Sequence, residues 1–239
     1  MTLTTEKTVR EIAIENPATV RVFESLGIDY CCGGRRPLSE ACERANVPVT
    51  QVLELIAKTQ PDSQPSGKDE WADATLASLI EHIVTRHHGF VRQEVSRLEP
   101  LLAKVGNKHG DTRPELRSIQ ELFSALSQEL MAHMFKEEQV LFPYIQKLEA
   151  ASRGGSQLPG ACFGSVEMPI ARMLAEHDDA GELLAQIRTL AGDFQPPEDA
   201  CPSFRGLYHG LQEFERDLHR HIHLENNILF PRAVELERA

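Results

Sequence analysis

Over most of the chain, apolar positions recur every three or four residues, the spacing that lines one face of an α-helix. Val84, Val91, Val95, Leu98 and Leu102 stand in line in this way, and in "VPVTQVLELIAK" Val49, Val52, Leu53 and Ile56 share a face. No segment sustains the alternation of a half-buried strand. Four long helical patterns follow Trp71, at about 72 to 104, 113 to 149, 166 to 192 and 202 to 237, separated by "GNKHGD", "ASRGGSQLPGACFGS" and "GDFQPPEDACPS". Long helices joined by such turns predict an all-α protein, an antiparallel up-down four-helix bundle. Pro114 suits a first helical turn. Pro143 and Pro231 fall inside the second and fourth helices, where each should kink the helix or end its regular part.

Ahead of the bundle, residues 1–58 hold short helical patterns punctuated by Pro17, Gly27, Gly33, Gly34, Pro37 and Pro48. Within "KTQPDSQPSGKDEW", residues 59–71 read as a linker, leaving 72–239 for the bundle. A module of that size is marginal alone, so it is expected to pack against the rest of the chain or a second subunit, which leaves a homodimer open.

Composition narrows the function. The chain has 239 residues, 41% hydrophobic and 26% charged, with a formal charge of −11. That charge argues against nucleic acid, whose phosphates need a basic footprint. No apolar run approaches the roughly 20 residues of a membrane span, and "MTLTTEKTVREIAIENP" lacks the apolar core of a signal peptide. The expectation is a cytoplasmic protein with no membrane partner, whose five cysteines are thiols or metal ligands rather than disulfides.

The chemistry lies in a repeated phrase. "HMFKEEQVLFP" begins at His133 and "HIHLENNILFP" at His221, 88 residues later. In each a Glu follows four residues after the His, so His133 with Glu137 and His221 with Glu225 project from one helix face. Leu141-Phe142 and Leu229-Phe230 continue the apolar side and aim these pairs inward. About half the repeat distance earlier, each half offers a lone histidine, His88 in "RHHGF" and His177 in "AEHDDAGELL". His88 shares the apolar line of Val84 and Leu98, whereas its neighbour His87 lines up with Ile83, Phe90 and the charged Glu94. His219 and His223, two residues either side of His221, are expected on the far, solvated side. An internally duplicated helical hairpin thus brings four imidazoles and two carboxylates into the bundle.

That donor set suits iron, manganese or zinc. Carboxylates from facing helices can each bridge two cations, as in dinuclear bundle sites. Six protein ligands leave room for an oxo or hydroxo bridge and for open positions where a diatomic could bind. Glu129, one turn before His133, and Glu176, beside His177, are either solvated or hold a ligand His in place or relay protons.

The lone histidines and the two repeated phrases resemble the hemerythrin-like di-iron domain. "GIDYCCGGRRPLSEAC" is similar to the cysteine-pair module that precedes that domain in the repair-of-iron-centres proteins. These are bacterial di-iron proteins implicated in restoring iron–sulfur clusters damaged by nitric oxide or peroxide. The resemblance implies two iron ions as cofactor, held by His88, His133, Glu137, His177, His221 and Glu225 with both glutamates bridging. It also implies an acidic pair, matching Glu129 and Glu176, on a route for iron or small molecules. Damaged iron–sulfur proteins would be the clients, and nitric oxide or oxygen small ligands.

Cys31 and Cys32 are too close for an unstrained disulfide. A turn marked by Gly33-Gly34, two arginines (Arg35, Arg36) and a helix start near Pro37 would favour an exposed thiolate pair, suited to metal or redox exchange. Cys42, Cys162 and Cys201 read as ordinary residues. Three functions follow. The first is repair of iron–sulfur clusters by iron supplied from a labile di-iron centre. The second is an enzyme reducing nitric oxide at that centre, and the third an oxygen or nitric-oxide sensor or carrier.

Overall fold

The computed structural model describes residues 5–31, 33–58, 71–154, 160 and 163–239, and the regular elements among them are helical. Cys32, Cys162 and all of the expected linker except Trp71 lie outside the described residues. Four short helices, Val9–Glu15, Thr19–Ser25, Leu38–Arg44 and Val49–Lys58, close on a small core that includes Ile12, Phe23, Tyr30, Leu38 and Val52. Thr8 and Glu11 form a reciprocal cap on the first of them.

The four long helices follow. The first runs through Leu76–His82, Ile83–His88 and Gly89–His109. The second runs through Glu115–Lys136, Glu137–Leu141 and Phe142–Gly154. The third is Glu167–Leu190. The fourth runs through Pro202–Leu224, Glu225–Leu229 and Phe230–Arg238. Cross-helix hydrogen bonds show their direction. Residue 76 pairs with 149 and 88 with 138, and residue 166 pairs with 237, 177 with 226 and 188 with 215. Rising numbers on one helix meet falling numbers on the next, so the neighbours are antiparallel. The first helix continues past the expected residue 104 because Val105 and Gly106 are buried against the second. No helix among the described residues is long and apolar enough to cross a membrane.

Two apolar clusters fill the bundle. One gathers Leu98, Phe123, Leu126 and Phe214 with their neighbours, and the other gathers Leu79, Ile83, Phe142, Met173 and Phe230. On every helix the inward His or Glu positions fall between the two. At this level the middle segments of the first, second and fourth helices widen into π-turns, a distortion frequent at functional sites. Pro143 and Pro231 explain two of them. Each lacks an N–H and would press its ring on the carbonyl four residues back. Widening the preceding turn lets Phe142 and Phe230 donate to the carbonyls of Glu137 and Glu225 instead. The expected kink is thus absorbed as a π-turn inside a continuing helix.

The duplication also closes one end of the bundle, where the first and third helices start and the second and fourth finish. Glu149, near the end of the second helix, accepts from the backbone N–H groups of Leu76 and Ala77 at the start of the first, at 2.9 and 3.0 Å. Glu237, 88 residues on, accepts from Val166 N–H and Ser165 Oγ at the start of the third, at 2.9 and 2.6 Å. Burial works to raise the Glu237 carboxyl, but the bonds from Ser165, Val166 and Tyr144 outweigh it and hold the group below the ordinary range. Its contribution is therefore present above that range and lost as pH falls through the lowered value. Glu149→Ala should cost about 1–2 kcal/mol, a melting point lower by roughly 3–6 °C. Glu237→Gln should lower the melting point near neutrality, with the difference from wild type shrinking in acid. Calorimetry across pH checks both.

Candidate metal centre

Each helix delivers its donors by local sequence. His133 and Glu137, like His221 and Glu225, lie one turn apart, with the glutamate opening the π-turn. His88 closes the π-turn of the first helix, and His177 lies in the third. All six side chains are buried, at most 3% exposed. Their atoms converge in two groups, His88, Glu137, His221 and Glu225 in one and His133, Glu137, His177 and Glu225 in the other, with the donor atoms of each group within 4.8 Å of one another.

Both glutamates belong to both groups and divide their oxygens between them. Glu137 Oε2 faces His88 Nε2 at 3.4 Å while its Oε1 faces His133 Nε2 at 3.3 Å. Glu225 Oε1 faces His221 Nε2 at 3.0 Å while its Oε2 faces His177 Nε2 at 3.2 Å. Nε2 atoms also point at each other, at 3.1 Å for His88 and His221 and 3.0 Å for His133 and His177. Buried acceptors facing acceptors are unfavourable unless a proton or a cation lies between them. Among the described residues, both oxygens of Glu137 and Oε2 of Glu225 meet no hydrogen-bond donor. Nitrogen and oxygen donors without thiolate fit a borderline or hard transition-metal cation, and the set can hold one in each group.

The electrostatics agree. Burial opposes ionisation of Glu137 and Glu225, as does their mutual repulsion, yet the surrounding imidazoles hold both below the ordinary carboxylate range. Burial works to lower His88 and His133, but the carboxylates prevail and raise both, His133 to about 9. His221 goes the other way, since its desolvation is the larger effect. The pocket is built for positive charge.

From behind, three of the four imidazoles are held through Nδ1. His88 meets Glu138 at 2.7 Å, His133 meets Glu176 at 2.8 Å and His177 meets Asn226 at 2.7 Å. Such partners fix the tautomer that turns the Nε2 lone pair inward. Burial tends to raise Glu176, but bonds from Lys136, His133 and Arg172 bring it down to about 2. Of the residues singled out by sequence, Glu176 thus reaches the cluster, whereas Glu129 is exposed and is not among the groups that meet. Glu138 and Asn226 escaped the sequence reading. Each directly follows a ligating-type glutamate, and their 88-residue separation was the available signal. His87 is buried but outside the cluster, hydrogen-bonded to Asp217 and stacked on His221.

The N-terminal module docks on the fourth helix at this level. Asn227 Nδ2 donates to Tyr30 O at 3.0 Å, Asn226 Nδ2 reaches Cys31 O at 3.5 Å, and the Tyr30 ring packs on His223. The docked loop buries His223 completely, which corrects the expectation of a solvated residue. Cys31 is likewise 5% exposed and joins the bundle's core. Its thiol donates to Asp29 Oδ1 at 3.3 Å, and the same carboxylate takes the N–H groups of Cys31 and Gly33. An exposed thiolate beside arginines is therefore not what this structure holds at Cys31. A Cβ at Gly34 would lie 2.7 Å from Tyr30 O and 3.3 Å from the Asn227 amide, so only glycine permits this approach.

Comparison with known proteins agrees with this layout. Residues 79–233 match the model of the hemerythrin HHE cation binding domain, and residues 5–60 match a domain of unknown function, DUF542. The iron-sulfur cluster repair protein YtfE of Yersinia pseudotuberculosis is 38% identical over 95% of this chain and 96% of its own length. YtfE of Citrobacter koseri is 38% identical over 94% of each chain. A probable iron-sulfur cluster repair protein of Haemophilus influenzae is 34% identical over 96% and 97%. With a hemerythrin HHE domain over most of its length and such relatives along nearly all of it, the chain belongs to the family of the iron-sulfur cluster repair proteins.

Proposed function

We propose that this chain holds two iron ions, one in each donor group, and passes iron to iron–sulfur clusters damaged by nitrosative or oxidative stress. The observation that carries the reading is the division of the Glu137 and Glu225 oxygens between the two groups, the arrangement expected of bridging carboxylates. Iron as the metal, and damaged clusters as the clients, are supported by the hemerythrin match and the names of the relatives. Bound iron would supply a redox-active cation that can be given up.

The roles of the residues follow from their positions. His88, His133, His177 and His221 would bind end-on through Nε2, and Glu137 and Glu225 would bridge. Glu138, Glu176 and Asn226 hold imidazoles in the binding tautomer. Each group offers four protein donors, which would hold an ion while leaving room for it to be passed on. The cysteine loop sits beside one ligand: Asn226 holds His177 and also reaches the Cys31 carbonyl. Undocking of that loop would loosen His177 and at the same time expose the Cys31 thiol, with Cys32 next to it in sequence, to receive the metal or meet the client.

Purified wild type should contain two iron ions per chain, and Glu137→Ala/Glu225→Ala should retain less than about a tenth of that, as measured by metal analysis with optical spectra. Wild type with no iron, or a double variant that keeps it, would remove the reading. Glu176→Gln should keep the metal but bind it roughly 10–100-fold more weakly in chelator competition. Iron-loaded wild type should reactivate a [4Fe–4S] dehydratase damaged by nitric oxide, the double variant should leave it at background, and Cys31→Ser should slow recovery. A loaded protein that restores no dehydratase activity would leave the metal centre standing and refute the repair role.

A further inference from the structure

Three of the inward imidazoles have an acceptor behind them and the fourth does not. His221 Nδ1 is buried and meets no hydrogen-bond partner among the described residues. With Nε2 turned to a metal, neutral imidazole carries its hydrogen on Nδ1, so a buried donor would stand unmet. An unmet acceptor lies next to it. His87 Nδ1 faces Asp217 Oδ2 at 3.0 Å, and a carboxylate accepts, so the hydrogen sits on that Nδ1 and the lone pair on Nε2. His87 Nε2 is buried and also meets no hydrogen-bond partner among the described residues. The His87 and His221 rings lie within 9° of parallel with centroids 5.8 Å apart.

The duplication reaches the same residue independently. His88 and His177 are 89 residues apart, and so are His87 and Glu176. In its half Glu176 accepts from Nδ1 of the second helix's histidine, His133. His87 therefore occupies the place of Glu176 relative to His221. Asp217, which orients His87, stands 88 residues after Glu129, whose exposed carboxylate has no such task. One half solves the problem with a carboxylate paired to Lys136 and Arg172. The other uses a histidine backed by Asp217, which lies near Arg86 at 4.0 Å.

We propose that His87, held by Asp217, is the acceptor for Nδ1–H of His221 in the metal-loaded protein, through a small rotation of the two rings or one bridging water. His87 is then a positioning residue that fixes the orientation and tautomer of a metal ligand. This rests on the metal reading above, and its test separates the two. His87→Phe keeps the stacked ring and removes the acceptor, and His87→Gln restores one. Iron release to a chelator should be 10–100-fold faster in His87→Phe than in wild type and within a few-fold of wild type in His87→Gln.

In zinc-loaded, ¹⁵N-histidine-labelled protein, His87→Phe should shift the His221 Nδ1–H signal and speed its solvent exchange, leaving those of His88, His133 and His177 in place. Unchanged release and an unchanged His221 signal in His87→Phe would overturn the proposal while leaving the metal centre intact. Wild type that binds no metal would end both. Should the Phe variant fail to fold, the wild-type spectrum still decides: ¹⁵N shifts showing His87 with its hydrogen on Nε2 would overturn the assignment, and on Nδ1 would support it.

Discussion

Two carboxylates with no exposure to solvent face each other across the middle of this bundle. Left to themselves they would repel in a medium that solvates neither, so their presence is tolerable only with positive charge around and between them. Four imidazoles supply part of it, and their inward lone pairs leave the rest to a cation. Much of the surrounding structure serves this layer. Apolar clusters above and below keep water out. The π-turns at Glu137 and Glu225 open where the carboxylates leave the helices and end before prolines that forbid an ordinary turn. Charged groups that would be costly at the centre are kept one step behind it, where Glu138 and Glu176 are each neutralised by arginine or lysine.

Duplication built the site, and divergence gave its halves different tasks. The pairs His133 and His221, Glu137 and Glu225, and the end-closing Glu149 and Glu237 keep an 88-residue offset, and His88 and His177 one of 89, with their chemistry unchanged. The groups behind the ligands do not. Glu138 becomes Asn226, Glu176 is matched by His87, and Glu129 by Asp217. A carboxylate at 226 would carry an unpaired charge into the contact with the N-terminal module, and an amide can accept from His177 while donating to Cys31 O. The change to asparagine thus fits the half that is covered.

How far the sequence discloses this depends on the range of the interaction. The convergence of the four histidines and two glutamates was legible because helical periodicity converts spacing into direction, and because two copies of a weak motif are far stronger than one. The bundle was legible for the same reason. His223 was misjudged because helical spacing places it away from His221 but says nothing about what covers that side; the Tyr30 loop does. Cys31 was misjudged similarly, since spacing in sequence does not show that its thiol is buried and donates to the carboxylate of Asp29. Glu138 and Asn226 were hidden by adjacency, since the residue after a ligand points about a quarter turn away and finds its partner on another helix. The π-turns left a trace in the two prolines, which signalled a disturbance without specifying its form.

The placement of the cysteine loop bears on how a centre this enclosed can exchange metal. A site whose six converging side chains are at most 3% exposed would hold a cation tightly, unless one wall can move without unfolding the bundle. The four long helices are fastened to one another by packed cores and, at one end, by the carboxylates of Glu149 and Glu237, so none of them is a ready wall. The module is fastened differently. At the metal level its Tyr30–Gly34 turn meets the fourth helix through two asparagine amides and the ring contact on His223, interactions that water can replace. Gly34 lets the loop close on Tyr30 O and the Asn227 side chain, a fit that any Cβ would obstruct. The same amide that releases the Cys31 carbonyl holds His177, so opening the wall and loosening a ligand would be one event. Under the proposed function, that coupling is what would give the Cys31 thiol, buried in the docked state, a part in metal exchange.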